Sequence, residues 1–327
     1  MVQANGIKPR IVLIGSAGAG TAFAAVCALR RAWSQSVRVV TMDIHPRHLV
    51  TSSLLADDFQ QVPLSSSPEF PAALLGILER FEVDTYLPLF PEEIALAARL
   101  HADGSIPKAV SVMAPPLAAS RACADKWLLG QLLSRHGVPV PRTALASHPF
   151  PAEEYFLKPN NGVGSRGAKR AMAADLPALV GDQSTKWIVQ EICTGPEVTV
   201  DAFRDPAMGF GHVVCRERIE VKSGVSTKSR LFSDEELSRI AQSIGGALSL
   251  SGSFCFQVMR NAQGWAVTDV NPRPGAATAM STLTGNDFFA ASFAHWWGED
   301  ARRFFRPLEG EHFVTRQYTE FLMGHPG

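Results

Sequence analysis

Carboxylate, amide and guanidinium side chains follow one another closely in Val267–Gly275, which reads V-T-D-V-N-P-R-P-G. Alternate residues of a strand face the same side of a sheet, so Asp269 and Asn271 are expected side by side. Such oxygen ligands suit Mg²⁺, which takes its other ligands from water and nucleotide phosphates. Arg273, at the strand exit, is placed to stabilise a phosphoryl group in transfer. A capped turn is the structural alternative for the same residues.

A second segment combines a lysine with a glycine-rich loop. Phe156–Gly167 reads F-L-K-P-N-N-G-V-G-S-R-G, so Lys158 ends an apolar stretch and is followed by three glycines and a serine. Backbone N–H groups in such a loop can close over phosphates. No G-K-[ST] follows the glycines, so this is not a Walker sequence. The tip of a mobile hairpin is the alternative interpretation.

Two further charged segments carry weaker signals. Glu191 and Glu197 belong to V-Q-E-I-C-T-G-P-E, at a predicted strand–turn–strand junction. Downstream, Arg216, Arg218 and Lys228 form a basic stretch. This stretch is either a solvated edge or a site for a γ-phosphate or a substrate carboxylate.

A glycine-rich turn near the N-terminus, Gly15–Gly20, lies between a predicted strand and a predicted helix, whose N-terminus favours anions. Asp43 ends the next strand, where a dinucleotide-binding fold places a ribose-binding acid. The spacing is G-x-x-G-x-G rather than G-x-G-x-x-G, so that fingerprint fails. A nicotinamide-dependent oxidoreductase is therefore disfavoured, and a tight turn before a packed helix competes with any ligand role.

The elements that must position these residues differ along the chain. The first third alternates apolar strands with helices, which indicates a parallel sheet covered on both faces. Its predicted strands are Ile11–Ile14, Val37–Met42, Val83–Leu89 and Ala109–Met113, and its predicted helices are Thr21–Trp33, Ala73–Phe81 and Glu92–Leu100.

Beyond Pro115 and Pro116 the pattern changes. One helix is predicted from Ser120 to about His136, followed by a rigid V-P-V-P linker. Short strands in pairs then indicate antiparallel sheet. The strongest predicted elements there are an amphipathic helix over Asp234–Leu250 and the strand pair Ser253–Met259 and Trp265–Val270.

Composition bounds the class of protein. The 327 residues, 46% hydrophobic and 19% charged, suggest a soluble enzyme of two or three packed units. With 31 basic and 31 acidic residues there is no net field to attract nucleic acid or an acidic membrane. Five cysteines without a CxxC pair are expected to be free thiols in a reducing cytoplasm. Ile11–Leu29 is uncharged, but its central glycines favour a strand, turn and helix over a membrane anchor.

In their order, these segments resemble the ATP-grasp superfamily, most closely its carbamoyl-phosphate-synthetase-like, carboxylate–amine ligase branch. The resemblance covers about residues 115–290, with a looser match over the first 113. It implies an α/β ATP-grasp fold in which two α+β lobes with antiparallel sheets clasp the nucleotide. The implied domains are an N-terminal doubly wound parallel-sheet domain at 1–113, a linker helix and small lobe with the glycine-rich loop at 114–194, and a large lobe with metal and catalytic residues at 195–327.

The resemblance also implies roles for single residues. The family's phosphate-contacting helix residue matches Lys126, and its strand lysine matches Lys158. The candidate nucleotide-binding residues are Lys126, Lys158, Asn161, Gly162, Gly164, Ser165, Gln190, Glu191 as the hinge acid beside the adenine, and Glu197 as the ribose acid. The candidate metal ligands are Gln257, Asp269 and Asn271, and the candidate catalytic residues are Arg273, Arg218 and Lys228.

The chain departs from the family pattern at the metal site. Asp269 stands where the family commonly has glutamate, and Gln257 stands where the family often has an acid. The number of metal ions therefore stays open. Acceptor specificity is expected around Gly15–Thr21 and Pro91–Glu93, and near Arg216–Lys228.

The activity that the resemblance implies is that of an ATP- and Mg²⁺-dependent ligase. It would activate a carboxylate, amino acids included, as an acyl phosphate, join it to an amine or similar nucleophile, and release ADP and phosphate. The alternatives are an ATP-dependent carboxylase that uses bicarbonate and a catalytically inactive nucleotide-binding regulator. Expected partners are ATP and small carboxylate and amine substrates, without nucleic acid or membrane; a homodimer is allowed, and a cytoplasmic location is expected.

Overall fold

The computed structural model describes residues 8–162 and 167–324. They form two compact units. Unit 1 comprises the chain up to Leu117, together with Trp296–Asp300 and the segment from Tyr318 onward. Unit 2 comprises Ala118–His295 and Ala301–Gln317. In the described part of the chain, no helix has the length and apolar character needed to cross a membrane.

Unit 1 is built on a five-stranded parallel sheet. Its strands are β1 (Arg10–Ile14), β2 (Val37–Asp43), β3 (Asp58–Gln61), β4 (Thr85–Leu87) and β5 (Ser111–Val112), and its helices are α1 (Gly20–Trp33), α2 (Phe70–Arg80) and α3 (Pro91–Ala102). The strand order is β3-β2-β1-β4-β5, and every pairing is parallel. The predicted parallel sheet is therefore confirmed. Strand β3 was not predicted, because D-F-Q-Q contains a single apolar residue.

The segment Trp296–Asp300 is part of the packing of unit 1. Trp297 Nε1 donates to Thr85 Oγ1 over 2.9 Å, and its ring meets that of Trp33 edge-on with centroids 4.7 Å apart. The guanidinium of Arg10 lies over the Trp297 ring and pairs with Glu299 over 2.6 Å. The C-terminal part of the chain thus supplies contacts to the N-terminal sheet.

Two helices, α4 (Leu117–Ala124) and α5 (Lys126–Arg135), replace the single helix predicted from Ser120. The break falls at Asp125, whose backbone is extended and whose carboxylate accepts the N–H of Leu128 over 2.8 Å. Because a short acidic side chain can cap a helix in this way, Asp125 starts a new helix instead of continuing the old one. Lys126 is consequently the first residue of α5.

Unit 2 contains a four-stranded antiparallel sheet, called here the small sheet. Its strands are β6 (Thr143–Leu145), β7 (Glu154–Pro159), β8 (Lys169–Met172) and β9 (Trp187–Gln190), in the order β6-β9-β7-β8. Helix α6 (Leu176–Val180) follows β8 and shares a buried apolar cluster with this sheet, through residues such as Tyr155 and Leu157.

The second sheet of unit 2, the large sheet, has six antiparallel strands. They are β10 (Thr194–Asp205), β11 (Phe210–Lys222), β12 (Val225–Phe232), β13 (Gly252–Asn261), β14 (Gly264–Asn271) and β15 (His312–Thr315), in the order β14-β13-β10-β11-β12-β15. Helices α7 (Glu235–Ala247) and α8 (Phe288–Trp296) complete the described α-helices.

The two faces of the large sheet differ because side chains alternate along each strand. One face carries Val200, Phe256 and Val267, which pack in one apolar cluster with residues of α5 and α7. The other face, called here the polar face, carries Thr199, Asp201, Arg216, Arg218, Ser229, Cys255, Gln257, Asp269 and Asn271. The fold therefore gathers polar residues of five strands, with charged residues from three of them, on one surface.

Candidate active site

Strand register aligns the polar face in rows that cross the large sheet. Asn271 Nδ2 donates to Asp269 Oδ2 over 3.3 Å, so these side chains lie together, as the alternation predicts. One row is Asp269, Gln257, Thr199 and Arg216, and the adjacent row is Asn271, Cys255 and Asp201. The rows bring residues from distant parts of the sequence within reach of one another.

Lys158 reaches from the small sheet to the large sheet. Its Nζ donates to the carbonyl oxygen of Thr268 over 3.0 Å. The register of β13 and β14 shifts between Gln257 and Val258, and this irregularity is next to Thr268. Burial lowers the pKa of the Lys158 ammonium to about 8, with nearby Asp269 opposing that shift. A buried ammonium with one carbonyl partner has N–H groups left to donate to phosphate oxygens.

Lys126 lies where α5 begins, beside the start of the glycine-rich loop. Its Nζ donates to the carbonyl oxygen of Gly162 over 2.9 Å. The side chain of Asn160 accepts the N–H of Trp127, and its carbonyl accepts the N–H of Lys126. The helix N-terminus and the loop are therefore tied together. Asn161 is exposed, and Gly164 and Ser165 lie outside the described residues.

The connection between the two sheets is three residues long, from β9 to β10, and it contains Glu191. Glu191 Oε1 accepts the N–H of Arg142 over 3.1 Å and Nδ2 of Asn261 over 2.7 Å. Gln190, just before it, is buried and donates to Thr143 over 2.9 Å. The predicted hinge acid is thus held by both sheets, because Arg142 precedes β6 and Asn261 ends β13.

A cavity of about 240 Å³ lies between the small and large sheets. Several of its other lining residues were not singled out in the sequence, because apolar side chains carry no motif: Phe156, Ile192, Cys193 and Met259. Burial raises the pKa of the Cys193 thiol to about 11, so this cavity cysteine is protonated at neutral pH. The predicted residues that line the cavity are Lys126, Lys158, Gly162, Gln190, Glu191, Glu197, Gln257 and Asp269.

Arg273 and Asn271 lie beside this group without lining the cavity. Arg273 Nη1 donates to the carbonyl oxygen of Pro274 over 2.9 Å, and its backbone N–H donates to that of Asn271. Burial lowers the pKa of Arg273, while Cys255 and Asp269 act in the opposite direction. Arg273 is therefore a partly buried cation close to the candidate metal ligands.

The basic stretch is divided between buried and exposed residues. Arg218 Nη1 donates to Glu197 over 2.6 Å, which links it to the cavity. Lys228 is exposed and pairs with Glu220 over 2.8 Å, and that pairing helps to lower the pKa of Glu220 to about 2. Arg216 is fully buried against Asp201. A solvated edge describes Lys228 but not the two arginines.

A comparison of sequences assigns residues 123–277 to the ATP-grasp domain family. These residues include Lys126, Lys158, Glu191, Glu197 and the D-V-N-P-R segment. The chain contains an ATP-grasp domain. A search of curated proteins gave no match.

Solved structures share the fold of this chain at low sequence identity. N5-carboxyaminoimidazole synthetase from Staphylococcus aureus superimposes with a TM-score of 0.72 at 13% identity, covering 90% of this chain and 79% of that one. L-amino acid ligase from Bacillus licheniformis gives 0.68 at 14% identity, covering 93% and 76%. The biotin carboxylase domain of the Hydrogenobacter thermophilus 2-oxoglutarate carboxylase gives 0.67 at 11% identity, covering 88% and 70%. The ATP-grasp fold predicted from the sequence is confirmed.

The donor set at the end of β14 in the ATP-grasp domain fits magnesium. Asp269 offers a carboxylate, and Asn271 and Gln257 offer amide oxygens. In the described residues there is no cluster of three His, Cys, Asp or Glu side chains that would form an all-protein cage. Mg²⁺ commonly binds through one or two carboxylates and completes its shell with water and phosphate. Asn271 presents Nδ2 to Asp269, so its amide must turn over to offer the oxygen.

The N-terminal glycine-rich turn lies in unit 1 and is filled by carboxylates of its own unit. Glu93 accepts hydrogen bonds from Ser16 and Tyr86, each 2.6 Å long, and a Cβ at Gly15 would lie 1.5 Å from Glu93 Oε1. Asp43 accepts the N–H of Gly18 over 2.7 Å. These carboxylates take up donors of the turn and oppose an anion there. The tight-turn interpretation is therefore favoured, and a role of Glu93 in acceptor specificity stays a prediction.

Proposed function

We propose that the protein is an ATP-dependent carboxylate–amine ligase that proceeds through an acyl phosphate. The observation that carries this proposal is the meeting of Lys158 with Asp269 and Gln257 at one cavity between two sheets. Binding of a nucleoside triphosphate requires a cation for the phosphates beside oxygen ligands for a divalent metal, and this cavity combines the two.

The cavity suggests a position for each part of ATP. The apolar side chains Phe156, Ile192 and Met259 would hold the adenine beside Glu191. Glu197 would accept hydrogen bonds from the ribose hydroxyls, with Arg218 orienting its carboxylate. The phosphates would then reach Lys126 and Lys158, beside Gly162 at the start of the glycine-rich loop.

The proposed reaction has two steps. A carboxylate oxygen attacks the γ-phosphorus, the bond from phosphorus to the bridging oxygen breaks, and ADP leaves. The amine then attacks the acyl carbon, loses a proton, and expels inorganic phosphate. Arg273 would stabilise negative charge in both steps, because a partly buried guanidinium held in place offers planar donors to the reacting oxygens.

Asp269 and Asn271 would hold Mg²⁺, with Gln257 beside them, and the ion would offset the charge of the nucleotide phosphates. The residues themselves bind and orient the nucleotide. Because Asp269 is the single carboxylate among these three residues, water and phosphate would supply the remaining ligands.

A carboxylase that activates bicarbonate is the second candidate, and one of the similar structures favours it by name. It is the 2-oxoglutarate carboxylase domain, whose crystal contained ADP and bicarbonate. Bicarbonate would take the place of the organic acid in the same first step. A catalytically inactive regulator is less favoured, because Asp269, Asn271 and Arg273 are all present.

The free state of all five cysteines fits a reducing compartment, so we propose a cytoplasmic location. A homodimer is part of the same proposal, motivated by the dimeric 2-oxoglutarate carboxylase domain named above.

The test is product analysis on a panel of carboxylates, bicarbonate included, offered with amines in the presence of Mg-ATP. Release of ADP and phosphate that depends on an acid supports the ligase or carboxylase chemistry. Dependence on bicarbonate alone identifies the second candidate. Release of AMP and pyrophosphate would rule out an acyl phosphate. Nucleotide binding without turnover on a broad panel would favour the regulator.

A further inference from the structure

A fully buried ion pair crosses the polar face of the large sheet. Arg216 Nε donates to Asp201 Oδ2 over 2.6 Å, and its Nη2 donates to Oδ1 over 3.0 Å. The hydroxyls of Thr278 and Ser281 each donate to the same carboxylate over 2.7 Å. Asp201 therefore receives four hydrogen bonds, two on each oxygen, and has little capacity left to accept another.

Arg216 is less well satisfied than its partner. Its Nη1 is buried and has no hydrogen-bond partner among the residues the structure describes. The hydroxyl of Ser229 is also buried and has no hydrogen-bond partner among these residues. Both side chains are 1% exposed. A buried polar group without a partner costs about 1–3 kcal/mol, so two of them close together call for an explanation.

These two groups belong to one region of the polar face. Ser229 on β12 pairs with Arg218 on β11, and Arg216 pairs with Leu231, so Arg216 and Ser229 are diagonal neighbours on adjacent strands. Diagonal neighbours have Cα atoms roughly 7–8 Å apart, which one ligand group can bridge. The two unpaired groups can therefore converge on a single acceptor.

The chemistry of the region selects the acceptor. A guanidinium N–H only donates, and the carboxylate of Asp201 already accepts four hydrogen bonds. A ligand group that also donates would therefore lack an acceptor for its own hydrogen. The nearby Arg273 donates only to a backbone carbonyl in the hydrogen bonds of the described chain, so its charge has no carboxylate partner there. An anionic group that only accepts, namely a carboxylate, fits best.

Arg216 stands in the same row as the candidate metal ligands. The row runs from Asp269 through Gln257 and Thr199 to Arg216, and its first two members line the nucleotide cavity. Three strand spacings separate its end residues, roughly 14 Å between backbones. Arg216 and the candidate metal ligands therefore belong to one surface of the large sheet.

We propose that Arg216 Nη1 and Ser229 Oγ bind a second carboxylate of the acid that is activated, so that the substrate is a small dicarboxylic acid, acidic amino acids included. This inference rests on the proposed function for the identity of the bound molecule as the substrate. One carboxylate would face the γ-phosphate near Asp269 while the other docks at Arg216 and Ser229.

The test measures binding, which does not require turnover. Isosteric pairs are titrated into the protein with Mg²⁺ and a non-hydrolysable ATP analogue: glutamate with glutamine, aspartate with asparagine, and succinate with succinamate. The dicarboxylate of the matching length should bind about tenfold more tightly than its amide, because the amide presents donors where acceptors are needed.

Two variants locate the effect, with one control. Ser229→Ala removes a buried hydroxyl at little cost in volume, and the preference for the dicarboxylate should fall by about tenfold. Arg216→Lys keeps the charge beside Asp201 but loses Nη1, and should act in the same direction. Ser253→Ala removes a buried hydroxyl of the same sheet that already has a partner, Phe288 O, and should leave the preference intact. The affinity for the ATP analogue should be unchanged in Ser229→Ala and Ser253→Ala.

The outcomes separate this proposal from the proposed function. A panel in which no dicarboxylate binds overturns the subsite, even when another acid drives ADP release and the ligase function stands. An unchanged preference in Ser229→Ala also overturns it, since the two donors then hold water only. Tight dicarboxylate binding that is lost in Ser229→Ala supports the subsite, even when no acid supports ADP release and the proposed function fails.

Discussion

At the scale of single residues, Lys158 combines burial with a charge that the nucleotide would need. Burial places the pKa of its ammonium near 8, so the group begins to lose its proton just above neutral pH. Below that pH the ammonium is ready to bind phosphate. Above it, binding requires uptake of a proton, so we expect ATP affinity to weaken by up to about tenfold per pH unit.

Calorimetric titration of a non-hydrolysable ATP analogue between about pH 7 and pH 9.5 measures this dependence. Lys158→Arg is the matched control, because a guanidinium stays charged throughout that range. Its affinity should be nearly independent of pH. An identical fall in affinity for both proteins would place the titrating group elsewhere.

Variants of the D-V-N-P-R segment test whether its residues act in catalysis or only in the structure. Asp269→Asn and Asn271→Ala should abolish turnover and leave the fold intact. Arg273→Lys keeps the charge but loses the planar fork, so it should bind ATP while turnover falls at least about tenfold, or about 1.4 kcal/mol of barrier. Thermal unfolding, ATP affinity and turnover distinguish these effects.

The acid that caps α7 provides a control variant with a structural role only. Asp234 accepts the N–H of Leu237 over 2.9 Å at the start of α7. Asp234→Asn, or more strongly Asp234→Ala, should cost up to about 1 kcal/mol of stability with little loss of activity. Near-normal turnover in all three variants of the D-V-N-P-R segment, with losses like that of the cap, would move the active site elsewhere.

Local sequence predicts some of these side-chain positions and not others. The shared face of Asp269 and Asn271 follows from the period of a strand, and the structure shows it. The burial of Arg216 could not be predicted, because it depends on Asp201, Thr278 and Ser281, which approach it only in the folded chain. The roles assigned to the candidate site residues stay predictions.

At the scale of elements, the turn after β1 is closed by a carboxylate on α3. Burial raises the pKa of Glu93 above its ordinary value, although hydrogen bonds from Ser16 and Tyr86 oppose the shift. A carboxyl group whose pKa is raised on folding contributes stability below its unfolded pKa and loses that contribution as the pH rises through the folded pKa.

Glu93→Gln removes this titration while keeping the size of the side chain. As the pH rises from about 4.5 toward neutrality, we expect the free energy of unfolding of the native protein to fall relative to that of the variant. Hydrogen exchange at the amides of β1 and β4 reports on unit 1. A pH-independent difference would show that Glu93 does not change its protonation on folding.

Element boundaries were predictable where the apolar pattern is strong. Helix α7 lies within the predicted Asp234–Leu250, and α1 matches Thr21–Trp33 to within one residue. The break at Asp125 was missed because an acid in mid-helix also fits a solvated face. The irregularity beside Thr268 was missed because it is set by pairing between strands.

At the scale of the whole molecule, nucleotide should act on one unit more than on the other. Mg²⁺ with a non-hydrolysable ATP analogue should slow hydrogen exchange at β7, β9 and β14, whose residues line the cavity of unit 2. The strands of unit 1 should change much less, because Asp43 and Glu93 already fill the glycine-rich turn. NAD should protect neither unit.

Hydrogen exchange followed by mass spectrometry measures all of these segments in one experiment. Protection confined to Gly15–Gly20 would restore a ligand role to the N-terminal turn. Protection by NAD in place of ATP would contradict the proposed nucleotide.

The pattern of predicted elements changes near Pro115, and the first of the three segments of unit 1 ends at Leu117. That pattern gave no sign that Trp296–Asp300 packs with unit 1, because a tryptophan in a short apolar stretch fits any core. The boundaries 1–113, 114–194 and 195–327 stay predictions.

Trp297 is translated long after the residues of unit 1 that it contacts, and this order affects folding on the ribosome. Trp33 and Thr85 emerge early, whereas the residue that contacts both is made after the whole of Ala118–His295. At about 5–20 residues per second, the N-terminal strands wait roughly 10–40 seconds for it. During that interval a nascent unit 1 exposes the surface that Trp297 will cover. We expect chaperones that recognise apolar surface to act on this chain before its translation ends.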